Sequence, residues 1–127
     1  RQIVRFRARL HVIAANAADT WTFRVRLGGL TGTLLIASSA INITTNDVYM
    51  LEGWFEIRTT GAGGTFDSAV RFVDMVNGVT LNVDHAVLGG AVDTTASRTL
   101  VVTGECSTNN AGNQVSLRHF SAEAFAA

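Results

Sequence analysis

Apolar and polar residues alternate along most of this chain with a period of two. From Ile3 to Ile13, residues Val4, Phe6, Ala8, Leu10 and Val12 fall on one side, and Arg5, Arg7, Arg9 and His11 on the other. Successive side chains of a strand point to opposite faces, so this spacing predicts a long half-buried strand. Asn16 to Asp19 reads as a turn. The next segment, 20–37, puts Trp21, Phe23, Val25 and Leu27 on one face and Thr20, Thr22, Arg24 and Arg26 on the other. It then turns at Gly28-Gly29 and resumes with Leu34-Leu35-Ile36, which is a hairpin.

Further strands are expected over about 48–60, with Gly53, Phe55 and Ile57 inward and Glu52, Trp54, Glu56 and Arg58 on the opposite face, and over 65–76. Between them, Gly61-Ala62-Gly63-Gly64 supplies a loop that tolerates positive φ. Asn77-Gly78 is a hairpin signal of the type I′ kind, and its register sets Arg71 opposite Asp84. The pattern weakens after 85–90, and Val92 to Ser97 reads as a polar loop. Strands are expected again from about Arg98 to Glu105 and from Gln114 to Phe125, where the face of Phe120 is ambiguous. About eight strands, turn residues at the breaks and no significant helix predict an all-β fold, an antiparallel β-sandwich of jelly-roll-like kind.

At 127 residues, 47% of them hydrophobic, the chain is expected to form a single domain over 1–127 with a real core. Charged residues are only 16% and sum to zero, which argues against nucleic acid, a partner that demands a basic footprint. No run of eighteen apolar residues predicts a membrane-spanning helix, and no membrane partner is expected. The chain opens at Arg1, which leaves a longer parent protein open. All ten basic residues are arginine, the cation enriched at protein interfaces where lysine is depleted. A GC-rich genome would produce the same bias without an interface. Cys106 stands alone, so no disulfide within the chain is possible, and it is expected as a small buried residue.

No catalytic set is assembled. The histidines at 11, 85 and 119 have no partner at metal-binding spacing, no serine sits in a nucleophile elbow, and neither glycine-rich segment is a phosphate loop. Glu52 and Glu56 share a strand face but lie roughly 13 Å apart by the strand rise, beyond either glycosidase geometry. Neither enzyme activity nor a cofactor is therefore expected. The candidate contact residues are Arg5, Arg7, Arg9, Glu52, Trp54, Glu56 and Arg58. Trp54 among charged neighbours suits either a subunit interface or a sugar platform. The arginine row would repel itself unless a carboxylate row such as Glu52 and Glu56, in the same or a neighbouring subunit, answered it.

Phe23-Arg24-Val25-Arg26-Leu27-Gly28-Gly29-Leu30-Thr31-Gly32-Thr33 resembles the strand and glycine turn of small all-β virion proteins of tailed bacteriophages. Ile57-Arg58-Thr59-Thr60-Gly61-Ala62-Gly63-Gly64-Thr65 looks like the same group's strand and Thr-Gly-rich loop, and Gln114 to Phe125 is similar to their C-terminal strand. The resemblance implies a non-enzymatic structural module located in the virion: a capsid decoration protein, a head fibre or spike, or a tail-fibre domain. It implies a jelly-roll-like sandwich and, as partners, copies of itself, a homotrimer being favoured, and other virion proteins such as the major capsid protein. The chain has no heptad stalk, which shifts the expectation toward a compact decoration or head-surface subunit. The alternative is a receptor- or carbohydrate-binding module of a tail fibre or spike that contacts a host surface glycan.

Overall fold

The computed structural model describes residues 1–43, 46–75 and 85–126. Among these, nine strands and no helix are found: β1 (Gln2–Ile13), β2 (Thr20–Leu27), β3 (Thr33–Ala37), β4 (Ile41–Asn42), β5 (Asn46–Thr59), β6 (Gly64–Asp74), β7 (His85–Val92), β8 (Leu100–Cys106) and β9 (Gln114–Ala126). They form a five-stranded sheet in the order β7-β6-β5-β1-β9 and a second sheet in which β2 pairs with β3 and β4 along one edge and with β8 along the other. Every pairing is antiparallel. β1 pairs with β9 in the first sheet and β2 with β8 in the second, so the two ends of the chain run side by side in both layers of the β-sandwich.

The alternation along each strand decides which face is buried. Phe6, Ala8, Leu10 and Val12 of β1, Tyr49, Leu51 and Phe55 of β5, and Phe66, Val70 and Phe72 of β6 meet Trp21, Phe23 and Val25 of β2 in one core. Phe23 is its centre, with ring centroids 6.2 Å from Tyr49 and 6.1 Å from Phe72, both in the opposite sheet. Burying a side chain of this size stabilises the fold by about 1.5–3 kcal/mol. The one buried hydroxyl on β6 is satisfied across the sandwich, where Ser68 Oγ donates to the Leu35 carbonyl at 2.8 Å.

The opening hairpin forms as its glycines predict. Gly28 and Gly29 adopt φ of 100° and 99°, which a side chain would strain. In the connection after β3, Ile41 and Ile43 are buried, and Ile41-Asn42 adds a short rung to β2. β7 occupies His85–Val92 and ends where the expected polar loop begins. Gly89, at φ 66°, lies within a register shift between Phe66 and Ser68, and its N–H donates to Asp67 Oδ1 at 2.8 Å. Leu88 and Gly89 thus form a bulge opposite Asp67 inside the strand. The Asn77-Gly78 turn and the partner of Arg71 that it predicts, Asp84, lie outside the described residues. Cys106 is half-buried at the core margin, not fully inside.

Two loops are fastened by one carboxylate. Asp19, buried in the turn before β2, accepts from the Thr108 hydroxyl at 2.7 Å and from Asn113 Nδ2 at 2.9 Å. Asn113 Oδ1 in turn accepts from the Ala15 N–H at 2.7 Å. The turn after β1 is thereby tied to the loop that leads into β9.

Candidate functional site

The outer face of the five-stranded sheet carries every residue that the strand pattern singled out. Pairing of β1 with β5 sets Arg5 opposite Trp54, Arg7 opposite Glu52 and Arg9 opposite Met50, all on the face turned away from the core. β6 extends the rows with Ala69 beside Trp54 and Arg71 beside Glu52. β9 extends them on the other side with Glu123 beside Arg5, Ser121 beside Arg7 and His119 beside Arg9.

The rows separate into two groups. In the first, Arg7 and Glu52 form an ion pair at 3.1 Å, so the carboxylate answering this arginine lies in the same chain. Arg5 lies over the Phe125 ring, 5.3 Å from its centroid, a cation–π contact. In the second, Glu56 is met not by the row of Arg5, Arg7 and Arg9 but by Arg1 at 3.2 Å and Arg58 at 3.2 Å. Arg58 also reaches Asp67 at 3.6 Å. Glu56 and Arg58 therefore belong to an ion cluster beside Trp54 rather than to a platform around it.

Around Trp54 the surface dips into a groove of about 530 Å³, lined by Arg5, Arg7, Glu52, Trp54, Arg71 and Glu123 among others. Its shape follows from small side chains. Gly53 faces inward, where a Cβ would stand 2.4 Å from the Ala69 carbonyl oxygen and 2.6 Å from Val70. Ala69 and its β7 neighbour Ala86 leave the indole of Trp54 standing above its surroundings, 38% exposed. Arg71, Ser121 and Glu123 are the members that the strand pattern did not single out. Their place beside Trp54 depends on strand order, which periodicity does not encode.

A second cavity, about 950 Å³, opens at one end of the sandwich over Val4, Leu27, Phe55 and Ile57, with Arg58 and the 93–98 loop at its rim. There Arg98 pairs with Asp93 at 2.8 Å. The hydroxyl and N–H of Thr95 both donate to Asp93 and, with Arg98, hold its carboxyl below the ordinary value of 3.8. Further along β1, His11 contacts Asn46 Oδ1 and accepts from Arg118 at 3.3 Å. Among the described residues no three His, Cys, Asp or Glu side chains converge on a possible metal position. Comparison with protein families, with curated proteins and with solved structures finds no match.

Proposed function

We propose that the chain is a non-enzymatic structural subunit of a bacteriophage particle, a capsid decoration or head-surface protein that assembles with copies of itself. The observation that carries self-assembly is β9. Val115, Leu117 and Phe120 lie on the same face as the buried Val12, Leu10 and Ala8 of β1, yet they are 38%, 55% and 38% exposed. The core face of the larger sheet thus continues past the cover of the smaller one. β9 is also the edge of its sheet, so among the described residues its outer backbone groups have no ladder partner. A long edge strand with an apolar face favours association; β9 has no proline, and its charged Glu123 lies on the face opposite Val115, Leu117 and Phe120. The virion setting and the preference for a trimer rest on the resemblance of 23–33, 57–65 and 114–125 to small virion proteins. A tail-fibre or spike module is the alternative setting, and the exposed Trp54 is the observation that favours it.

Light scattering on the purified chain tests the assembly, with a trimer of the 13.5 kDa subunit as the expected mass. Leu117→Glu, which places a charge in the apolar stripe without touching the core, should give monomers with an unchanged strand signal in circular dichroism. A wild-type monomer at all concentrations would overturn the assembly. Copy number on purified particles tests the setting: many copies support decoration, a few support a fibre or spike, and absence overturns a virion role.

A further inference from the structure

We infer that the position beside β8 and facing β9 is filled by β9 of a second copy, so that two chains close one continuous sandwich about a two-fold axis. This rests on the self-assembly proposed above and names its contact. Among the described residues β8 pairs with β2 alone. The ladder contacts fix which of its backbone groups are left over. Thr99 accepts from the Gly28 N–H, Ser107 donates to the Thr20 carbonyl, and the register between them is unbroken. Residues two apart in a strand aim their N–H and C=O groups the same way. Val101, Thr103 and Glu105 therefore face β2, and Val102, Gly104 and Cys106 face the open edge.

The vacant position lies opposite the apolar stripe. β3 packs against β7 and β6, and Phe23 of β2 packs against Tyr49 of β5 and Phe72 of β6, so β8, on the other side of β2, lies toward β1. The inner face of β1 is covered, with Ala8 and Val12 fully buried. One strand further out, Val115, Leu117, Phe120, Ala122 and Ala124 of β9 share that inner face and are all exposed. A two-fold contact must match itself, and a stripe without a polar residue does so without bringing like charges together.

Strand direction fits as well. β8 ends and β9 begins at the end of the sandwich where Asp19 is tied to Thr108 and Asn113, so these two strands run in opposite directions. A half-turn about an axis along the strands preserves their direction. The second copy's β9 thus arrives antiparallel to β8, the pairing found throughout both sheets, and its β8 arrives beside β9 in the same way. Both open edges and both stripes are covered in one contact. The resemblance favours a trimer, whereas these edges close with two copies.

Light scattering and amide hydrogen exchange on the whole chain test the contact. A dimer of the 13.5 kDa subunit is expected. In it the amides of Val102, Gly104 and Cys106 should exchange at least about tenfold more slowly than in the Leu117→Glu monomer. Those of Val101, Thr103 and Glu105, which face β2, should be protected in both. Wild type diluted until it dissociates supplies the same reference should Leu117→Glu not fold. A dimer whose three edge amides exchange freely would overturn β8 as the partner of β9 and leave self-assembly standing. A trimer would overturn the two-fold closure and likewise leave self-assembly standing. A monomer at all concentrations would overturn both.

Discussion

Asp19 shows how one side chain can tie together parts of the chain that are far apart in sequence. The donated hydrogen bonds from Thr108 and Asn113, reinforced by Asn16, outweigh the desolvation that opposes them and hold its carboxyl below the ordinary value of 3.8. A carboxylate with a depressed folded value contributes stability that is present above its unfolded value and is lost as pH falls through the folded one. Urea midpoints should therefore fall as pH drops below about 4, and Asp19→Asn should be less stable than wild type at neutral pH while losing less over that acid window. Equal acid slopes for the two proteins would show that Asp19 is not a source of the dependence. Asp93, depressed by Thr95 and Arg98, contributes in the same direction, so the slope is reduced rather than abolished. None of this was legible from Asp19 itself, since Asn16 to Asp19 read only as a turn. Its partners lie some ninety positions away and carry no pattern that points back to it.

Strands that alternate strictly were legible with their faces; where a bulge interrupts a ladder, as in β9, the strand was legible but the face of its residues was not. β1, β2 and β5 keep one face apolar along most of their length, and the structure buries that face. In β9 the ladder with β1 shifts between Arg9 and Leu10, so that His119 meets Arg9 and Leu117 meets Leu10, with Arg118 as the extra residue. Strict counting groups Phe120 with Ser116, and the shift returns it to the face of Leu117. The same irregularity hid Ser121 and Glu123 from the groove. In β7 the bulge at Leu88-Gly89 is followed by Gly90, which seats a core ring. A Cβ on Gly90 would stand 2.4 Å from two atoms of the Phe66 ring, which is itself only 2% exposed and has no room to retreat. Gly90→Ala should therefore cost about 1–3 kcal/mol, as overpacking does, and lower the melting temperature by several degrees. Gly63→Ala is the control, because a Cβ there meets nothing within 4 Å and no positive φ is required. A Gly90→Ala protein that melts with the control would show that the β7 ladder yields instead.

Among the described residues a sheet five strands wide faces one that is three strands wide where β3 and β8 flank β2. That mismatch leaves β9 without a cover on its inner face, while the outer face of the same sheet carries the charged rows and Trp54. The apolar stripe proposed for self-association and the candidate contact residues of the strand pattern thereby lie on opposite sides of one sheet. The separation is open to a direct measurement at Arg7. Its partner Glu52 is in the same chain, and the pair is exposed enough, with Arg7 side-chain exposure at 60%, that water screens it. Arg7→Gln should change stability by less than about 1 kcal/mol and leave the oligomer mass as in wild type. Leu117→Glu on the other face should dissociate the oligomer. A fall in mass with Arg7→Gln would place the arginine rows in the subunit contact, and the two faces of the sheet would then share one role instead of dividing two.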